Sequence, residues 1–96
     1  MSISWRDFDL LTLLGNAASE LAEVIKYGNL KHVDPQGTSW RSQDRSRHLA
    51  ALKRHLDRFE RNELHDHDSG LHPLAHVACR ALFIVWIDLN RPKGDQ

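Results

Sequence analysis

From Leu74 to Leu89 the chain is apolar at nearly every position, with Val77, Ala78, Cys79, Ala81, Leu82, Phe83, Ile84, Val85, Trp86 and Ile87 in the run. A helix apolar nearly all round must be buried, so whatever else the chain forms has to cover it. Pro73 suits the first turn of such a helix, where its missing N–H costs nothing. His72 and His76 then stand one above the other on one face, and Arg80 continues the stripe. Cationic and imidazole groups on a buried helix are costly unless they are paired, coordinated or turned to a cavity. The run is also preceded by Asp66-His67-Asp68-Ser69-Gly70-Leu71, two carboxylates and a glycine turn. A functional site is therefore sought where this turn enters the helix.

The remaining segments read as helical. Leu10, Leu14, Ala17, Leu21 and Val24 recur at helical spacing, which predicts a first helix over 7–28, with Gly15 inside it as a contact or a break and Gly28 as its left-handed cap. Residues 29–44, with Val33-Asp34-Pro35-Gln36-Gly37-Thr38-Ser39, carry turn chemistry and predict a long loop. Leu49, Leu52, Leu56 and Phe59 predict a second helix over 45–62. His48 and His55 flank its stripe, and Lys53, Arg58 and Arg61 point to solvent. The third helix spans 73–89. No stretch alternates at period two, so the expected fold is all-α, a compact bundle of three main helices. Two amphipathic helices give too little cover for the third, which implies a symmetric homo-oligomer.

Ninety-six residues allow one domain, 1–96, folded over 7–90 with a frayed tail over 91–96. Thirteen basic residues balance thirteen acidic ones, so nucleic acid is not indicated as a partner. The single cysteine, Cys79, reads as a small buried hydrophobe in a reducing compartment. The N-terminus lacks the layout of a signal peptide. The apolar run falls short of the roughly 20 residues of a membrane span, and Arg80 interrupts it. The expectation is a cytoplasmic protein with no membrane partner.

Several constellations bear on chemistry. His72 and His76 have the spacing of a helical metal pair, which Asp66, Asp68, His48 or His55 could complete. The plainer alternative makes them capping and core residues. Lys31, Arg54-His55, Arg80 and the Asp68-Ser69-Gly70 turn could form a phosphate pocket, arginine offering a planar fork and the turn its backbone N–H groups. The alternative is a solvated basic face, though Arg80 fits that poorly. Glu20 and Glu23 are spaced like a magnesium-binding pair, but with no clear second pair they read as surface carboxylates. Tyr27 and Trp40 could stack a purine or simply seal the core.

Taken together, these residues resemble the phage-associated dATP/dGTP diphosphohydrolase N-terminal domain family, a small helical family. The resemblance rests on Tyr27-Gly28, Lys31-His32, Ser39-Trp40, Arg54-His55, Asp66-His67-Asp68-Ser69-Gly70 and His72-Pro73-Leu74-Ala75-His76, and covers about residues 18 to 88. The chain departs from the family pattern with His32 for a tyrosine, a longer loop before Trp40 and Arg80 for an asparagine. The resemblance implies cleavage of dATP or dGTP to the monophosphate and pyrophosphate. His55, Asp68 and His76 would be catalytic. Tyr27, Lys31, Trp40, Arg54, Gly70 and Arg80 would bind the nucleotide. Asp66, Asp68, His72 and His76 would hold a divalent ion, magnesium or manganese. If encoded by a phage, the protein would act in the host cytoplasm. The alternative is a module that sequesters a nucleotide, or a nucleotide immune signal, without cleaving it. A third reading is a helical oligomer whose histidines serve only stability.

Overall fold

The computed structural model describes residues 9–34 and 36–91. The expected helix start at residues 7 and 8, Pro35 and the tail over 92–96 lie outside them. All regular structure among the described residues is helical: α1 (Leu10–Leu14), α2 (Asn16–Lys31), a 3-10 turn (Ser39–Ser42), α3 (Arg45–Glu60) and α4 (Pro73–Asn90). α4 packs mainly on α3 and to a lesser extent on α2 and the 3-10 turn.

The first helix is divided at Gly15, whose φ of 54° and ψ of −122° no helix continues. Gly28 is not its cap. The helix runs on to Lys31 and closes at Val33, which takes the left-handed conformation at φ 50°. The Asp34 amide donates to the Asn29 carbonyl at 2.9 Å and the Val33 amide to that of Leu30 at 3.5 Å, the two bonds of a Schellman motif. A β-branched residue in this slot is strained. α3 closes in the same way with Asn62 at φ 68°, its amide donating to Phe59 and that of Glu63 to Arg58. Asparagine carries that conformation at lower cost.

The second and third helices lie close to their expected bounds, but their buried faces differ. On α3 the buried residues are His48 and Ala51, and Leu49 and Leu56 of the expected stripe are exposed. The histidine side of α3 faces α4 because His48 is bonded at both ring nitrogens, to Arg80 and to the Trp40 carbonyl. On α4 the buried residues are Pro73, His76, Cys79 and Ile87. Leu82, Val85 and Leu89 on its far side are exposed, so the helix is not covered all round within one chain. It is the one described helix long and apolar enough to cross a membrane.

Candidate functional site

Asp66 organises the turn between α3 and α4. Its side chain is 3% exposed. Oδ2 accepts hydrogen bonds from the Asp68 amide at 3.1 Å, the Ser69 amide at 2.9 Å and the Ser69 hydroxyl at 3.1 Å. Oδ1 accepts from Arg58 Nη1 at 3.2 Å and lies 3.4 Å from His55 Nδ1. Burial pushes this carboxyl up, and the Ser69 amide, His76, the Ser69 hydroxyl and the Asp68 amide together hold it below the usual range. The sequence offers a reason: Asp-x-x-Ser before a glycine is an Asx-type turn, in which a carboxylate bonds amides just ahead of it. Gly70 sits at φ 74°, and its amide closes the turn on the Asp66 carbonyl at 2.8 Å.

This arrangement spends the amides that a phosphate would use. Those of Asp68 and Ser69 bind Asp66, that of Leu71 binds Ser69 Oγ at 3.2 Å, and that of Leu74 binds His72 Nδ1 at 3.0 Å. Gly70 is not on the cavity lining. His72 is the N-cap of α4 and stands apart from the other histidines, beside Phe59. Ser69 Oγ gives its one proton to Asp66, so the 2.8 Å contact with His76 Nε2 is a bond donated by the imidazole. His76 therefore carries its proton on Nε2 and has no lone pair there.

His55 stacks on His76, ring centroids 4.3 Å apart and nearly parallel. Its Nδ1 is buried and has no hydrogen-bond partner. Burial and then the neighbouring His76 lower its pKa to about 4, so the ring is neutral at pH 7. Asp66 is the carboxylate beside that nitrogen. Burial likewise holds His76 and His48 below the ordinary histidine value.

His55, Asp66, His76 and Arg80 line one cavity of about 230 Å³ together with Tyr27, Lys31, Trp40, Arg54, Arg58 and Asp68. The expected convergence of His55, His76 and Arg80 is present, and His72 is outside it. Arg58, expected in solvent, belongs to the site. It stands three residues after His55, on the same helix face, which is the signal that places it here. Phe83 was also unexpected. It lies seven residues beyond His76 and stacks on Trp40 at 4.0 Å and 5°. Trp40 is further fixed by its indole N–H to the Gly37 carbonyl at 2.9 Å and by an edge contact with Trp86. One face of Trp40 is thereby committed to the fold.

The charges around the cavity are unequally matched. Asp34 accepts from the Ser39 amide and hydroxyl, Asp66 is matched by Arg58, and Asp68, exposed, is 3.9 Å from Lys31. Arg80 has no carboxylate within 4.0 Å among the described residues. Its Nη1 donates to neutral His48 Nδ1 at 2.9 Å, and burial lowers its pKa. A half-buried arginine on a cavity wall with no counter-ion is an anion site in waiting. Cys79, on the same wall, is a thiol that burial pushes up to about 11 and is no nucleophile at neutral pH.

The expected metal set does not come together. Asp66 has three donors on one oxygen, His76 offers an N–H, His72 is a helix cap, and Asp68 lies in solvent. No group of three or more His, Cys, Asp or Glu side chains among the described residues is placed to hold a metal ion. The residues present do not form a protein cage for magnesium or manganese, and the chemistry below is carried by the chain's own groups.

The family described as dATP/dGTP diphosphohydrolase, N-terminal, matches residues 4–96. A protein of Salmonella phage PMBT28 named dATP/dGTP diphosphohydrolase is 37% identical over 76 residues, which cover 79% of this chain and 25% of that protein. The chain thus matches about a quarter of that relative's length. No solved structure matches.

Proposed function

The chain belongs to the family of dATP/dGTP diphosphohydrolase N-terminal domains, and from that premise we propose that its cavity receives the phosphates of a purine deoxynucleoside triphosphate and that the chain takes part in cleaving it. Arg80 carries the proposal: a half-buried guanidinium on the lining of an open cavity, bonded to His48 and with no carboxylate within 4.0 Å among the described residues. Arg54 and Lys31 stand at the same cavity and add charge. In the reaction, water adds to the α-phosphorus, the bond to the bridging oxygen breaks, and pyrophosphate leaves with that oxygen and its electron pair. Arg80, Arg54 and Lys31 stabilise the charge that shifts onto the phosphoryl oxygens.

His55 is the group suited to take the proton from water. It is neutral, and the Asp66 carboxylate, 3.4 Å from Nδ1 without a hydrogen bond to it, favours the proton on that nitrogen by its charge and so leaves Nε2 as the acceptor. A pKa of about 4 makes free His55 a weak base. Phosphates bound beside it raise that value, since anions favour the imidazolium. Of the other expected catalytic groups, His76 serves by orientation, together with Asp66, which was expected only as a metal ligand, and Asp68 remains a solvent-exposed carboxylate at the rim.

A second reading is favoured by the same bonding. His76 and Asp66 are fully engaged in holding the turn, and the chain matches only a quarter of the relative's length. On this reading the chain binds the nucleotide and does not cleave it. One experiment covers both. The full chain is heated with and without dATP, dGTP, dCTP or TTP, and the nucleotide is recovered and separated by anion exchange. Ligand at ten times Kd should stabilise by about 1.4 kcal/mol, a rise in Tm of roughly 6–11 °C. Pyrophosphate with dAMP or dGMP supports cleavage. A raised Tm with intact nucleotide supports binding alone. No shift and no product with any of the four overturns both.

A further inference from the structure

The face of α4 turned away from the cavity carries a second surface. Ala75, Ala78, Leu82, Val85 and Leu89 recur at alternating spacings of three and four, the a/d period of a helix–helix seam. They lie opposite His76, Cys79 and Ile87, which α4 buries. Leu82 is 54% exposed, Val85 50% and Leu89 78%, and no charge interrupts the row. Scattered apolar residues on a surface are ordinary, whereas an uninterrupted row along about 21 Å of helix marks a contact.

The two ends of the row differ in shape. At the N-terminal end it opens into a groove of about 610 Å³, whose lining includes Leu14, Leu21, Leu74 and four alanines together with the polar Asn16, Glu20 and His72. The four alanines leave a hollow between the start of α2 and the start of α4. At the C-terminal end Leu89 stands out as a knob. A knob and a hollow at opposite ends of one helix are complementary to each other only across an antiparallel twofold axis. That axis sets Leu82 against its own counterpart and each Leu89 over the other copy's groove, an isologous contact.

Charge agrees with this direction. Glu20 lines the groove and has no ion-pair partner among the described residues. Arg91, just past the end of α4, donates to the Arg41 and Gln43 carbonyls and has no carboxylate within 4.0 Å among the described residues, although its charge helps to lower the Asp88 carboxyl. Antiparallel packing brings one copy's Glu20 toward the other's Arg91, and it opposes the two helix dipoles. Leu14 of α1 and Ala17, Ala18 and Leu21 of α2 extend the apolar surface sideways beyond α4.

We propose that the outer face of α4 is the seam of a homodimer, in which a second copy of this chain docks antiparallel and places its Leu89 in the groove between α2 and α4. The contact is independent of the nucleotide reading, because neither the seam nor the knob touches the cavity lining. The test uses the full chain. Sedimentation of the wild type at about 50 µM should give twice the mass of one chain, and Leu82→Glu, which sets two carboxylates against each other on the axis, should halve it while circular dichroism stays helical. Leu82→Cys should cross-link to itself on mild oxidation, as should Ala75→Cys mixed with Leu89→Cys, whereas Leu89→Cys alone should not; native Cys79 is buried and does not compete. These cysteine variants keep the test open if the glutamate variant fails to fold. A wild type that sediments as a monomer overturns the proposal. So does self-linking of Leu89→Cys, which denotes a parallel pair, or recovery of the wild type with phosphatidylglycerol vesicles in place of a dimer, which assigns the apolar face to lipid.

Discussion

Replacing Asp66 by asparagine should separate the carboxylate's role in folding from every other feature of the site. The change keeps shape and one carbonyl oxygen but removes the charge. The oxygen can still accept from the Asp68 and Ser69 amides and the Ser69 hydroxyl, now as neutral bonds of roughly half the strength. The new NH2 then faces Arg58 Nη1, 3.2 Å away, and two donors meet. Bonds to a charged group contribute about 1.5–3 kcal/mol each. Arg58 is partly exposed and can turn to water, which reduces its share. A net loss of about 2–3 kcal/mol results, against a total of about 5–14 kcal/mol for a chain of this length. Thermal denaturation at pH 7 should show a Tm lower by roughly 10–20 °C, and Asp66→Ala, which strands the donors, should fall further. The dependence on pH has a definite sign. The Asp66 carboxyl is lowered in the folded state, so its contribution is complete above the unfolded value of about 3.9 and disappears as pH falls through the folded value. The gap between wild type and Asp66→Asn should hold steady from pH 7 to about 5 and close below about 4. A variant within about 2 °C of wild type at pH 7, or a gap unchanged in acid, refutes the assignment of Asp66 as the anchor of the turn.

Other expectations are as specific. Arg80→Met removes a half-buried cation without a counter-ion but strands His48 Nδ1, two effects of about 1–3 kcal/mol and opposite sign. Its Tm by calorimetry should stay within about 8 °C of wild type, while dATP affinity by titration calorimetry falls about 10- to 100-fold; a large loss of stability with binding intact would make Arg80 structural. His48, His55 and His76 are all lowered in the folded state, so the unfolded chain takes up more protons between about pH 4 and 6.5 and stability falls as pH drops through that window. Tm should decline from pH 7 to pH 5, less steeply in His55→Phe, and a flat profile counts against three buried neutral imidazoles. Val33→Gly should raise stability by about 1 kcal/mol, because Val33 is 85% exposed and held at φ 50°; urea denaturation giving no gain means the strain is relieved elsewhere. Manganese added without nucleotide should give no saturable relaxation enhancement at millimolar concentration, and a tight site there contradicts the open arrangement of Asp66, Asp68, His72 and His76.

The helices themselves follow from periodicity and end signals, and α3 and α4 lie close to where spacing puts them. What spacing does not reveal is which side a helix buries when polar groups supply the contact. Leu49 and Leu56 look like the core stripe of α3, yet α4 meets the face bearing His48 and His55, because a long-range bond from Arg80 satisfies a nitrogen that would otherwise be costly to bury. The same holds for Arg58, whose place depends on a carboxylate eight residues on. The cap at Val33 could not be read either: Gly28 offers the usual signal, and the chain passes it because Asp34 reaches both Asn29 and Ser39. The gathering of His76 and Arg80 at a cavity was readable, since the cost of burying them on the apolar α4 demands one, and His55 joins them from the facing side of α3. The role of the glycine turn was not, because a carboxylate within the chain takes the amides a phosphate would have used.

The most direct test follows the side-chain Nε–H resonance of Arg80, assigned through Arg80→Lys, as dATP is added to the full chain. If the cavity receives nucleotide phosphates on this guanidinium, that resonance moves in a saturable way and tripolyphosphate moves it in the same direction. If dATP, dGTP and tripolyphosphate all leave it in place while Arg80 remains bonded to His48, the cavity is not a phosphate site and the account fails.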